Sequence, residues 1–397
     1  MENVIYFDNN ATTNVAPEVL EEMLPYLKEF YGNPSSMHSF GGKVHKKLEE
    51  AREKVANLLN SSPTEIVFTS CGTESNNFAI RGVLEANPEK KHIITTRVEH
   101  PAVLNVCKYL SKKGYDVTFL KVDNKGQIDL DELRDSLRDD TAIVSIMYAN
   151  NETGVIFPME KIAQIVKSRG IILHVDAVQA VGKIPIDLSK LPIDLLSSSG
   201  HKLHAPKGVG FLYIRRGTKI KPFMLGGHQE RGRRGGTENV ASIIGLGKAC
   251  ELAMNSFEEE MTKVKGLRDK LENFILENIP YTHVNGDREN RLPNTTNVSF
   301  EFIEGESILL MLDKYGICAS SGSACTSGSL EPSHVLRAMG VPFTLSHSSI
   351  RFSFSRYNKE EEVDRCIQVL PEIIDRLRSI SPFWNEKKGK NFKKVEN

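Results

Sequence analysis

Ile193-Asp-Leu-Leu-Ser-Ser-Ser-Gly-His-Lys202 reads as an apolar strand that breaks into small polar residues and stops at a lysine. A second strand-like run, Gly208-Val-Gly-Phe-Leu-Tyr-Ile214, follows at once. An ammonium is ordinarily left in water, so a lysine between two buried-looking strands is out of place. Burial lowers such a lysine's pKa, and the neutral amine can form a Schiff base with a carbonyl, most commonly that of a pyridoxal cofactor. Taken alone, the stretch reads more simply as a surface loop that contains a lysine. The decision rests on the rest of the chain.

Upstream, apolar runs alternate with helical patterns: Ile66 to Thr69, His92 to Thr96, Val117 to Val122, Ile143 to Tyr148 and Ile171 to Val175, with a helix after each of the first four. That rhythm predicts an α/β fold in which a mainly parallel sheet is covered by helices. It stops near Gly226-Gly-His-Gln-Glu-Arg-Gly-Arg-Arg-Gly-Gly-Thr237, after which a long helical pattern runs from about Glu238 to Asn278. Strands at Thr296 to Phe302 and Ser349 to Phe354, with helices at Gly305 to Lys314 and Lys359 to Leu377, suggest a smaller α+β domain. The expected division is 15–260 for the large domain and 1–14 plus 261–397 for the small one, with the boundary inside the long helix near Met261. The charged end, 385–397, reads as a short mobile tail.

Composition narrows the function classes. The chain of 397 residues is long enough for two or three domains and a sizeable core. Lys+Arg and Asp+Glu both number 51, so no global field draws in nucleic acid or an anionic membrane surface. Met1-Glu-Asn-Val-Ile does not read as a signal peptide and no apolar run is long enough to span a bilayer, so a cytoplasmic location is expected. The 6 cysteines are scattered without a C-x-x-C pair, which argues against a disulfide framework and against a metal site.

In open parallel sheets ligands bind beyond the carboxyl ends of the strands, so the residues just after each strand carry the chemistry. After Thr69 comes Ser70-Cys-Gly-Thr-Glu-Ser-Asn76, a polar turn opening a helix, where Gly72 and Thr73 would offer N–H groups to a phosphate or simply cap the helix. After Thr96 come Glu99 and His100, where a flat ring could cover one face of a planar cofactor, although a lone histidine is more often structural. The run Ile171-Ile-Leu-His-Val-Asp176 leaves a carboxylate at its end, with Gln179 three residues on. A carboxylate beneath a pyridine nitrogen keeps that nitrogen protonated and lets the ring absorb electrons; a helix cap is the plainer role. Together with Ser199, His201 and Lys202, these residues would supply phosphate, ring-face, ring-nitrogen and imine contacts.

At this point the sequence closely resembles the NifS/IscS group of cysteine desulfurases, fold type I pyridoxal phosphate enzymes of the class V aminotransferase family. The resemblance runs from Tyr6-Phe-Asp-Asn-Asn-Ala-Thr-Thr13 and Gly32-Asn-Pro-Ser-Ser36 to His347-Ser-Ser-Ile-Arg-Phe-Ser353. It implies pyridoxal 5'-phosphate as cofactor, with Lys202 as the Schiff-base lysine, Asp176 as the ring-nitrogen partner, Gln179 as donor to the phenolic oxygen and His100 stacked on the ring. Thr73, Ser199 and His201 would hold the phosphate, and Thr237 would reach the phosphate of the neighbouring subunit, which implies a homodimer. Asn151 and Arg351 would orient the substrate, L-cysteine, with Arg351 clamping its carboxylate.

Ala319-Ser-Ser-Gly-Ser-Ala-Cys-Thr-Ser-Gly-Ser-Leu330 is nearly all small residues around one cysteine and is expected to be mobile. The resemblance makes Cys325 the nucleophile that takes the substrate sulfur as a persulfide and passes it on to an iron–sulfur scaffold protein or another sulfur acceptor. The Ser-Ser-Gly-Ser-Ala-Cys-Thr wording matches the longer-loop desulfurases, and Glu331-Pro-Ser-His-Val-Leu336 leans toward the NifS branch. Other readings stay open: a selenocysteine lyase or another class V aminotransferase, or a non-catalytic partner in iron–sulfur assembly.

Overall fold

In the computed structural model, which describes residues 4–321 and 332–384, twelve strands form three sheets. They are β1 (Ile5–Tyr6), β2 (Ile66–Thr69), β3 (His92–Thr96), β4 (Asp116–Leu120), β5 (Thr141–Met147), β6 (Ile172–Asp176), β7 (Leu195–Ser199), β8 (Gly210–Ile214), β9 (Thr282–Val284), β10 (Thr295–Phe300), β11 (Ile317–Cys318) and β12 (Ser349–Ser353). The large sheet has seven strands in the order β2-β8-β7-β6-β5-β3-β4. Its neighbours pair in parallel except on both sides of β8, which runs antiparallel to β2 and to β7. The carboxyl ends of β2, β3, β5, β6 and β7 therefore lie along one edge of the sheet, and β8 begins there with Gly210. A side chain at Gly210 would put its Cβ 2.6 Å from the Ser198 carbonyl oxygen, so the close pairing at this edge requires glycine.

Alternating side chains divide between the two faces, as the pleat requires. Ile66 and Phe68 join one buried cluster, together with Val144, Leu173 and Phe211, while Val67 joins another with Ile93, Ile143 and Leu212. Each fully buried aliphatic side chain contributes about 1.5–3 kcal/mol, so a one-residue slip in register would be costly. Helices Pro17–Lys28, Ser39–Leu58 and Val240–Met254 supply the first cluster, and helices Gly72–Ala86 and Pro101–Ser111 the second.

The second unit has its own core, built from β10, β12 and helices Lys265–Asn278, Gly305–Lys314 and Glu360–Ile380 around Phe300, Phe352 and Ile374. Its sheet is antiparallel in the order β12-β10-β9. The amino-terminal segment belongs to this core, since β1 pairs with β11 and Phe7 packs in the same cluster. The helical pattern expected to run unbroken from Glu238 to Asn278 is interrupted: helix Val240–Met254 ends, and a π-helical turn at Glu260–Val264 precedes helix Lys265–Asn278. The apolar spacing continues across the break, which is why periodicity alone does not register it. No helix among the described residues is long and apolar enough to cross a membrane.

Candidate active site

Lys202 closes the 3-10 turn Gly200–Lys202 that follows β7. Its Nζ donates to the main-chain oxygens of Asn10 (2.6 Å) and Ala11 (2.7 Å), so the amino-terminal polar turn folds over it. Three residues upstream the Ser199 hydroxyl is buried and has no hydrogen-bond partner among the described residues. Gly72, at the start of helix Gly72–Ala86, lies beside it: a Cβ added there would sit 3.5 Å from that of Ser199 and 2.7 Å from Val178 Cγ2. First-turn amides of a helix have no partner within the helix, so Gly72, Thr73 and Ser199 could together receive a tetrahedral anion. His201 is held by Thr12 Oγ1 (3.2 Å), and burial and the nearby lysines push its pKa down to about 4, so it stands there as a neutral ring.

Asp176 ends β6 and is buried. Its carboxylate is fixed from two sides, by Asn76 Nδ2 (2.7 Å) and by the amide of Val178 (3.0 Å). Gln179 is tied through Nε2 to the Asn10 carbonyl oxygen (3.0 Å). His100 caps helix Pro101–Ser111, where Pro101 favours the extended backbone that a cap adopts. Its Nδ1 accepts from the Ala102 amide (3.1 Å), so in the neutral ring the proton sits on Nε2. Burial lowers the His100 pKa; Asp176 opposes this, and Lys202 adds to it.

Arg351, on β12, is buried and reaches Asn151 and Asp8. Nη1 donates to the Asn151 main-chain oxygen (2.9 Å), Nη2 pairs with Asp8 (2.8 Å), and Nε is buried without a partner among the described residues. Of the five N–H groups of a guanidinium, the one on Nε is here open to a carboxylate, and the one on Nη2 that Asp8 holds is another that a carboxylate can take. Next to it the chain passes through Ser320, whose carbonyl accepts from the Arg351 amide (2.6 Å). Cys325 and most of the small-residue segment lie outside the described residues, as does the tail 385–397. Beyond that segment, Ser333 donates to Glu152 and His334 Nε2 donates to the Glu99 carbonyl oxygen (2.9 Å). Thr237 is exposed, and among the described residues no hydrogen bond joins it to this pocket.

The structure thus brings Lys202, Ser199, His201, Gly72 and Thr73 together with Asp176, Gln179 and His100 along one sheet edge. Arg351 and Asn151 are linked to them through Asn10, whose Nδ2 donates to the Asn151 carbonyl oxygen (3.2 Å). Two contributors carried no signal of their own in the sequence. Asn76 lies one helical turn past Gly72, and Asn10 sits in a turn that reads only as polar.

Glu99, which precedes His100 after β3, has a consequence for stability. Its Oε1 accepts from Thr96 (2.8 Å) and the Met147 amide (3.0 Å), while Oε2 is buried with no partner among the described residues. Burial, reinforced by the charge of Asp176, pushes its pKa up from 4.5 to about 8. The folded chain then holds a proton here that the unfolded chain has lost, so the stability contributed is full below pH 4.5 and falls as pH rises toward about 8. Glu99→Gln, neutral at every pH, is expected to melt with wild type at pH 5 and about 2 °C or more above it at pH 9. Parallel calorimetric melts at the two pH values check this.

Comparison with known proteins gives the family. The family described as Aminotransferase class-V matches residues 5–366. A protein named cysteine desulfurase from Trichormus azollae is 63% identical, over 98% of this chain and 97% of its own length. Cysteine desulfurase NifS from Azotobacter vinelandii is 57% identical, over 98% and 99% respectively. A solved structure of a NifS-like protein superposes with a TM-score of 0.89 at 45% identity, covering 94% of this chain and all (100%) of its own.

Proposed function

The chain belongs to the class V aminotransferase family and, within it, to the cysteine desulfurases, and on that premise we propose how its own residues carry the reaction. The observation that supports the assignment is the meeting of Lys202 with the unpartnered Ser199 hydroxyl and the doubly held Asp176 carboxylate at one sheet edge. These residues fit pyridoxal 5'-phosphate, which when bound supplies a carbonyl for the substrate amine and a protonated ring that takes up the electrons released at the substrate Cα.

Ser199, His201 and the amides of Gly72 and Thr73 would hold the phosphate, with Thr237 reaching the phosphate of a second copy, so the working unit is a homodimer. Asp176 would face the ring nitrogen, Gln179 the phenolic oxygen and His100 the ring's open face. Asn151 and Arg351 orient L-cysteine, its carboxylate taking the guanidinium from Asp8. Lys202, as a free amine, removes the Cα proton, and His100 Nε2 is placed to move protons alongside it. Cys325 attacks the substrate sulfur as thiolate: an S–S bond forms, the substrate C–S bond breaks with its electron pair going to the three-carbon fragment, and that fragment takes up one proton at Cβ and regains one at Cα to leave as L-alanine. The persulfide then passes to an iron–sulfur scaffold protein or another acceptor in the cytoplasm.

With L-cysteine and a dithiol reductant, the holoenzyme is expected to release alanine and sulfide in equal amounts, measured by amino-acid analysis and a colorimetric sulfide assay. Alanine without sulfide, or pyruvate in place of alanine, would overturn the assignment.

A further inference from the structure

Lys183 is a lysine that the steps above do not use, and it is more buried than Lys202. Its Nζ donates to Gln179 Oε1 (2.8 Å) and to Asn10 Oδ1 (3.1 Å). Both partners are neutral amides, a poor setting for a buried ammonium if stability were its purpose. We propose that Lys183 is a positioning residue for this reaction, fixing the Gln179 amide so that its N–H faces the cofactor and holding the Asn10 turn against Lys202. The proposal rests on the reading that Gln179 contacts the cofactor's phenolic oxygen.

The two ends of a glutamine amide have nearly the same shape, and its neighbours decide which way it points. Lys183 Nζ donates here, so the Gln179 atom beside it is the oxygen. Nε2 is thereby turned the other way. Among the described residues it makes one hydrogen bond, to the Asn10 carbonyl oxygen (3.0 Å), which leaves its second N–H to give. That Asn10 oxygen is also the one that Lys202 Nζ reaches at 2.6 Å. The Asn10 side chain is set by the same ammonium: Oδ1 accepts from Lys183 and Asn294 (3.0 Å), so Nδ2 points to Thr295 Oγ1 (2.8 Å) and the Asn151 carbonyl oxygen. One buried donor therefore orients the amides that touch Lys202 and the Arg351 region.

The charged and titratable groups facing Lys183 come from every side. Glu260 on the π-helical turn, His204, Arg356 and Lys202 line a small cavity with it. Arg351 and His201 also lie within reach of its charge. Burial lowers the Lys183 pKa and raises that of Glu260, while Lys202 and Arg351 push Lys183 down further and Glu260 supports its charge.

Losing the lysine removes a positive charge near Lys202 and frees the Gln179 amide to flip. Both changes favour the protonated form of the lysine–cofactor group, so in the K183M holoenzyme the pH midpoint of the visible absorption change is expected to rise by about one unit. Q179L should raise it as well, and K183M/Q179L by less than the sum, because the two residues act on one contact. Additive shifts, or a lower melting temperature for K183M with no change in midpoint, would overturn the proposal. An unchanged midpoint in Q179L would sink the reading of Gln179 itself and the proposal with it. If K183M does not fold, K183Q, uncharged and one bond shorter, is expected to give the same upward shift.

Discussion

Lys202→Ala is expected to lower alanine formation from L-cysteine by about three orders of magnitude or more, within the range lost when a positioned acid–base group is removed. On the proposed assignment two functions would disappear together: the amine that binds the cofactor covalently, and the base that takes the Cα proton. No neighbour can replace it. His201 and His100 are neutral rings engaged by Thr12 and the Ala102 amide, and Lys183 is occupied with Gln179 and Asn10. The loss should be chemical rather than structural. Asn10 O keeps the hydrogen bond from Gln179 Nε2 when Lys202 is removed, and the Ala11 oxygen is left needing a water. The phosphate cradle at Ser199 and Gly72 is also untouched, so the variant should still take up pyridoxal 5'-phosphate. The check is threefold: single-turnover alanine formation, phosphate analysis of the loaded protein, and melting temperature. Retention of more than a tenth of wild-type turnover would show that Lys202 is not the base.

The residues that share the sheet edge with Lys202 were largely readable before any coordinates, and the reason is physical. Each follows a short apolar run at a point where the sequence turns small and polar, and a parallel sheet places all such points side by side. Asp176, His100, Gly72 and Ser199 were legible in this way. The direction of β8 was within reach too: only residues 200–209 separate β7 from β8, fewer than the dozen or so that a parallel crossover needs. Asn10 and Lys183 were not legible, because their roles come from contacts between distant parts of the chain. Lys183 and Asn10 are 173 positions apart, and Asn10 and Thr295 are 285 apart. A polar turn and a lysine after a helix-like stretch carry no local pattern that predicts such meetings. Asn76 is intermediate, since its turn was read as a phosphate loop but its grip on Asp176, 100 positions away, depends on how β2 and β6 are ordered in the sheet.

Cys325→Ala should separate the two halves of the reaction. Lys202, Asp176 and Arg351 are intact in this variant, so L-cysteine should still bind and perturb the cofactor's visible absorption at the wild-type rate. Sulfur release should fall by about a hundredfold or more, because a thiol from solution cannot match one tethered at the site. The tether is short. Ser320 is hydrogen-bonded to Arg351 through the backbone, and Cys325 lies five residues farther on, which covalent geometry limits to about 18 Å even when fully extended. At the other end Ser333 and His334 are fastened to Glu152 and to the carbonyl that precedes His100, so the chain that carries the cysteine leaves and re-enters at the pocket. On the proposed assignment a substrate whose carboxylate is held by Arg351 would be within the range that the chain length allows that thiol, and the persulfide would be carried on Cys325. Mass spectrometry after one equivalent of L-cysteine should find 32 Da added to the peptide containing Cys325 in wild type, the mass of one sulfur, and no such addition in the variant. If the variant still forms alanine at the wild-type rate, the sulfur leaves by another route and Cys325 is not the acceptor.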